Sequence, residues 1–200
     1  MKIAIVGSGI AGNTAAYLLR DEHDITVFES ASYVGGHTNT VNVASSAGPL
    51  AVDTGFIVFN DRTYPQFNRI LHEIGQDWQP SVMSFSVQSA DAKLEYNGAG
   101  LNTMFAQRRN LLRPSFWRMI RDILRFNREA PDILRHEAAD ETVAEYLARN
   151  AFSIEFVDHY LAPMAAAIWS AERSSVLAMP VVFLVRFFQN HGLLQLKDRP

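Results

Sequence analysis

Gly7, Gly9 and Gly12 stand in the run Gly-Ser-Gly-Ile-Ala-Gly, and Glu29 follows about 20 residues beyond them. Three glycines and an acid at these intervals can hold a dinucleotide. Gly7 permits a tight turn, Gly9 admits a pyrophosphate to the backbone, and Gly12 lets a helix pack closely on a strand. Ile10 and Ala11 lie in the glycine loop, and the helix that follows offers first N–H groups and a positive dipole end that suit phosphate oxygens. Glu29, followed by Ser30, can accept hydrogen bonds from a ribose diol. A carboxylate there favours an unphosphorylated ribose over one carrying a 2′-phosphate.

Such chemistry needs fixed elements around it. Lys2–Val6 is a short apolar run with the length of a buried parallel strand, residues 13–20 read as a helix, and residues 25–28 form a second apolar run that delivers Glu29. A glycine triplet alone serves many simple turns. Strand, loop, helix, strand and terminal acid in register at the start of the chain are what point to dinucleotide binding.

A second glycine pair, Gly35-Gly36, precedes His37 and Thr38 only a few residues beyond the acid. It reads either as a flexible turn or as a second backbone surface laid along a cofactor, with His37 or Thr38 donating hydrogen bonds. Residues 41–44 and 50–52 flank a turn at 45–49 and predict a hairpin. Its second arm runs into Asp53-Thr54-Gly55-Phe56, again a strand feeding a glycine.

The bulk properties narrow the classes. A hydrophobic fraction of 48% and a charged fraction of 20% in 200 residues are those of a soluble globular protein. The net charge of -3 gives no global reason to expect a nucleic-acid partner. There are no cysteines, which excludes disulfides, thiolate metal sites and a redox thiol pair, so redox chemistry would have to come from a cofactor. Lys2 before an apolar run faintly mimics a signal peptide, but three glycines break the run. No later run reaches membrane-spanning length, and the cytoplasm is the expected compartment.

Taken together, the Gly7–Gly12 loop, Glu29, Gly35-Gly36-His37-Thr38 and Asp53-Thr54-Gly55-Phe56 resemble the FAD-dependent amine oxidase and phytoene desaturase superfamily. That superfamily includes monoamine oxidases, protoporphyrinogen oxidases and carotenoid desaturases. The resemblance is strongest over residues 1–60. Thr63-Tyr64-Pro65, Met83-Ser84-Phe85-Ser86-Val87 and Ala166-Ala167-Ile168-Trp169-Ser170 look closest to a bacterial branch of amine-oxidase-like NAD/FAD-binding proteins. The family usually carries arginines where Ala31, Tyr33 and His37 stand here.

The resemblance implies an α/β, Rossmann-like FAD-binding domain of glutathione-reductase type over residues 1–75. A largely helical α+β substrate domain would follow over 76–200, incomplete, with the FAD domain resuming beyond it. The implied cofactor is FAD. Gly7, Gly9, Ile10, Ala11 and Gly12 would hold its pyrophosphate, Glu29 and Ser30 its adenosine ribose, and Gly35, Gly36, His37, Thr38, Thr54, Gly55 and Phe56 would lie along the rest. The implied reaction is hydride transfer to flavin from a C–N or C–C bond of a small or apolar, lipid-like substrate. In the family the later half of the chain often supplies the catalytic residue, and no catalytic residue is assigned among these 200. The chain is therefore expected to be a fragment that retains little flavin by itself. Two other classes fit the same motifs: a flavin enzyme without net redox, as in sugar-nucleotide mutases, and a non-enzymatic flavin-bound docking module.

Beyond the hairpin, residues 64–74 read as a helix with Gly75 as its cap, and residues around 82–87 and 94–96 as two strands joined near 90–91. Residues 108–128 concentrate Arg108, Arg109, Arg113, Arg118, Arg121, Arg125 and Arg128. On a helical wheel the last four share one face, with Phe116, Ile120, Ile123 and Leu124 opposite. This segment is either a surface helix with solvated charges or a peripheral contact with anionic lipid through Phe116 and Trp117; its local, non-interleaved pattern argues against nucleic acid. Thr142-Val143-Ala144-Glu145 has capping-box spacing. Helices are expected through 147, over 152–161, 163–169 and 179–189, with Gly192 as a stop and a strand from 193 to 196. His159 and Trp169 are either core residues or the lining of a substrate cavity. Nothing in the pattern fixes an oligomeric state.

Overall fold

The computed structural model describes residues 1–55, 58–81, 84–135 and 140–195. Its packing divides the chain into two compact units, Met1–Phe59 and Asn60–Pro200. This division falls upstream of residue 75, the domain boundary that the family resemblance implies.

In the first unit, β1 (Lys2–Val6) and β2 (Asp24–Phe28) pair in parallel, Lys2 opposite Asp24 through Val6 opposite Phe28. The helix between them, α1 (Ile10–Leu19), starts inside the glycine motif, three residues before its expected position at 13. It packs against both strands, as a crossover between parallel strands requires. The apolar run expected as a buried strand is only half covered. Ile3 and Ile5 are partly buried, while Val6 is 88% exposed and Val27 and Phe28 are also exposed. Among the described residues of the unit, α1 is the one helix packed on the pair. The predicted hairpin follows as β3 (Thr40–Ser45) and β4 (Gly48–Asp53), antiparallel, with Ser46 and Ala47 at the turn. Ser45 shapes that turn: its hydroxyl donates to the Gly48 carbonyl at 2.6 Å and accepts from the Ala47 N–H at 3.2 Å.

The second unit is built on helices. α2 (Pro65–Ile74) ends at Gly75 in the left-handed conformation, as its sequence dictates. β5 (Ser86–Ser89) and β6 (Leu94–Asn97) form an antiparallel hairpin with Val87, Leu94 and Tyr96 on its buried face. Then come α3 (Leu101–Met104), a 3₁₀ turn at Arg108–Leu112, α4 (Pro114–Glu129), a further 3₁₀ turn at Ala130–Arg135, and α5 (Val143–Arg149). α5 starts on the predicted capping box, with Thr142 and Glu145 each satisfying the other's backbone N–H.

α4 turns Phe116, Met119, Ile123 and Phe126 into the core, the i, i+3, i+7, i+10 stripe of a helix packed on one side. Leu124, expected on that face, is exposed instead, and Asp122 is buried in its place. Asp122 has a reason to be there: its Oδ2 accepts the Ser153 N–H at 2.9 Å, and Arg121 and Arg125 stand over its other oxygen. Phe126, Phe152, Phe156 and Tyr146 pack on one another in the core, with ring centroids 5.1–6.2 Å apart.

The stretch expected as two separate helices is continuous. α6 (Ile154–Phe156) widens into a π turn at Val157–Leu161 and passes straight into α7 (Ala162–Trp169). Pro163 accounts for the widening. It has no N–H to give the His159 carbonyl, and its ring crowds that carbonyl. The Tyr96 hydroxyl, reaching over from β6, donates to the same carbonyl at 2.6 Å. α8 (Arg173–Ala178) and α9 (Val181–Asn190) complete the described helices. The strand expected from residue 193 does not form over 193–195. Leu193 and Gln195 instead donate back to Phe188 and Gly192 as the chain turns off α9, and Leu196 lies outside the described residues.

Candidate functional site

The site is assembled entirely within the first unit. The β1–β2 ladder runs on past Val6, because the Gly7 N–H donates to the Phe28 carbonyl at 2.7 Å. Gly7 then turns the chain with φ of +92°, which an L side chain rarely adopts. A Cβ on Gly12 would lie 1.9 Å from the Gly7 carbonyl oxygen and 3.3 Å from Ile5 Cγ2. Gly12 is therefore what lets α1 sit down on β1. Gly9 is different. A Cβ there would meet no atom within 4 Å, so its glycine character serves nothing in the folded chain itself. No side chain caps α1 at Gly9, and no acidic residue occupies the first turn formed by Ile10, Ala11 and Gly12.

Ser8, between the first two glycines, is the buried node of the site. Its N–H and hydroxyl both donate to Glu29 Oε2, at 2.9 and 2.5 Å. Its carbonyl accepts from Asn13 Nδ2 at 2.8 Å and from the Gly35 N–H at 3.0 Å, and its hydroxyl oxygen lies 3.3 Å from the same N–H. The other carboxylate oxygen of Glu29 takes the Ala31 N–H at 2.8 Å and, more weakly, the Ser30 hydroxyl at 3.4 Å. These donors hold the Glu29 pKa down at about 2, the Ala31 N–H contributing most and the Ser8 hydroxyl next.

The second glycine pair is laid against the first loop. Gly35 adopts φ of +118°, and a Cβ on it would strike the Thr38 carbonyl oxygen at 2.4 Å. A Cβ on Gly36 would come within 3.1 Å of Gly9 Cα. The end of β4 closes on the same segment. Thr54 gives both its N–H and its hydroxyl to the Asn39 carbonyl, and Gly55 lies so near that a Cβ would be 2.2 Å from the His37 carbonyl oxygen. His37 and Thr38 keep exposed side chains. Phe56 lies outside the described residues.

The first glycine loop is thus joined to Glu29 and to Gly35-Gly36, and Thr54-Gly55 to the segment that holds His37 and Thr38. Three contributors were missed in the sequence. Ser8 reads there as a spacer between glycines, Asn13 as an ordinary helix residue, and Asn39 as loop. The one legible hint was a small hydroxyl residue wedged between glycines within reach of an acid.

The second unit places the other two candidates apart from each other. His159 lines a small cavity of about 30 Å³ with Leu94, Arg113, Ser115 and Glu155, room for roughly one water. Trp169 packs on Phe183 and Phe187, with ring centroids at 5.5 and 4.7 Å.

The open backbone at Gly9, the uncapped helix start and the anionic Glu29 together suit a group with a pyrophosphate and a ribose. No curated protein matches the chain. Residues 5–74 match the family model described as an NAD(P)-binding Rossmann-like domain, and the parallel β1–α1–β2 unit with its glycine loop is accordingly the Rossmann-like, dinucleotide-binding part of a mixed α/β protein.

Proposed function

We propose that the protein is an FAD-dependent oxidoreductase of the amine oxidase and desaturase type, with residues 1–75 as the first part of its flavin-binding domain and 76–200 as substrate domain. The observation that carries FAD over a simple nicotinamide cofactor is the seating of Gly35-Gly36 against Gly9 and Ser8. It sets a second glycine backbone beside the first loop, which would serve a longer ligand than the first loop alone. Gly9 and the N–H groups opening α1 would take the pyrophosphate. Glu29 would take the adenosine ribose, while residues 35–38 and 54–55 would border the remainder.

Bound FAD supplies the hydride acceptor, and the chain supplies position and exclusion of water. Glu29 has two oxygens with about four acceptor sites, all used by Ser8, Ser30 and Ala31. A ribose diol would therefore replace the two hydroxyl donors, Ser8 and Ser30, and leave the two backbone donors in place. The resemblance implies a C–H bond next to nitrogen, or on an apolar chain, as the hydride source.

The test is the absorption spectrum of the protein purified from its complete reading frame and desalted. A two-band flavin spectrum at near one flavin per chain is expected. Absence of flavin, together with saturable binding of NADH, would replace this reading with a nicotinamide dehydrogenase.

A further inference from the structure

The arginines grouped on one face of α4 are matched by carboxylates. Arg118 pairs with Glu155, Arg121 and Arg125 with Asp122, and Arg125 and Arg128 with Glu129. Cations without a carboxylate partner among the described residues lie just upstream: Lys93, Arg108, Arg109 and Arg113. Arg109 and Arg113 donate to the Lys93 carbonyl, Arg113 also to that of Ala92, and Arg108 to Asn102 Oδ1 and the Phe105 carbonyl. These acceptors are neutral, so among the described residues none of the four cations is in an ion pair. The sequence from Lys93 to Trp117 holds a single acidic residue, Glu95, in a chain whose net charge is -3.

The same segment displays apolar side chains to solvent. Leu101 is 82% exposed, Leu111 47%, Leu112 88% and Trp117 48%. Trp117 is fixed there: its ring lies against Phe105 at 5.2 Å, and its Nε1 donates to the Leu111 carbonyl at 2.9 Å, tying the 3₁₀ turn to the start of α4. Exposed leucines scattered singly need no explanation, nor do surface arginines. Here both kinds are concentrated on one hydrogen-bonded knuckle.

We propose that this knuckle, α3 through the first turn of α4, is a monotopic docking site for an anionic lipid bilayer. Leu101, Leu111, Leu112 and Trp117 enter the boundary between headgroups and acyl chains, and Lys93, Arg108, Arg109 and Arg113 meet lipid phosphates. Nucleic acid fits less well, because the one exposed aromatic is already tilted onto Phe105 and offers no succession of stacking faces. The proposal does not depend on the cofactor assigned to the first unit.

Flotation of the full chain tests it, with neutral phosphatidylcholine vesicles and with vesicles in which about a third of the lipid is phosphatidylglycerol. Binding to the anionic vesicles alone is expected, weakening as salt screens the charges. Leu101→Asp with Leu112→Asp should reduce it by roughly tenfold or more, and Arg108→Glu with Arg109→Glu by a similar factor. Arg121→Glu with Arg128→Glu, on the matched face, should reduce it less. Thermal melts of each variant establish that the fold survives, and Leu112→Asp alone serves if the double variant does not fold. Equal binding to neutral vesicles, binding to neither kind, wild-type binding by Leu112→Asp, or a preference for RNA over lipid would overturn the proposal.

Discussion

Ser8 donates its hydroxyl to Glu29 Oε2 at 2.5 Å, so the first glycine loop and the acid at the end of β2 are joined by a side chain as well as by the sheet. With the Ala31 and Ser8 N–H groups, this bond keeps the carboxyl at a pKa of about 2 against an ordinary 4.5. The folded value lies below the unfolded one. The ionised carboxylate therefore adds its full stability above about 4.5, and that contribution is lost as pH falls toward 2. Acid unfolding curves of the wild type and Glu29→Gln should converge across this window. Carboxyl ¹³C titration should give the low pKa directly, and Ser8→Ala should raise it. An ordinary pKa for Glu29 in the wild type would contradict the hydrogen bonds described.

Gly9 and Gly12 should separate under substitution. Gly12→Ala drives a methyl into the Gly7 carbonyl and should lower the melting temperature sharply. Gly9→Ala meets open space, so its melt should match the wild type while dinucleotide binding, followed by calorimetry, is lost. Normal binding by Gly9→Ala would remove the pyrophosphate from that position.

Glu29→Gln should weaken 5′-ADP by about tenfold, since a charge-assisted acceptor is exchanged for a neutral one. It should also narrow the preference for 5′-ADP over adenosine 2′,5′-bisphosphate, because a fixed carboxylate repels the added phosphate. Calorimetric titration of both nucleotides checks the two expectations together.

Tyr96→Phe removes the donor that satisfies the His159 carbonyl beside Pro163. An orphaned buried acceptor costs about 1–3 kcal/mol, which chemical denaturation should register. In the Pro163→Ala background residue 163 regains an N–H for that carbonyl, and the cost of Tyr96→Phe should shrink.

Much of the first unit was legible because its glycines answer to local geometry: a turn at Gly7, a close approach at Gly12, an acid one strand away. The capping box at Thr142 and the cap at Gly75 were legible for the same reason, since each is settled within a few residues. What the sequence hid depends on partners far along the chain. The bond from Ser8 to Glu29 spans 21 positions, and the bond from Ser153 to Asp122 that draws an acid into the core spans 31. The helical wheel placed Leu124 inside because it weighs hydrophobicity alone, and it read the arginines of α4 as free because it cannot see Glu155. Leu193 and Leu194 looked like the start of a strand, but a left-handed Gly192 turns them back toward α9.

The π turn at Val157–Leu161 also sets a phase. One extra residue is taken up without breaking the helix axis, so everything after it is turned by about 100° relative to an uninterrupted α-helix. Phe156 before the turn and Met164 and Ala165 after it are all buried, an alignment that plain 3.6-residue periodicity does not extend unaided across the widened turn. Deleting a single residue from the turn should restore a plain α-helix with Met164 and Ala165 still on the core face, whereas inserting a further residue would rotate both off it by about 100°, so at this point the chain tolerates a shortening more readily than a lengthening.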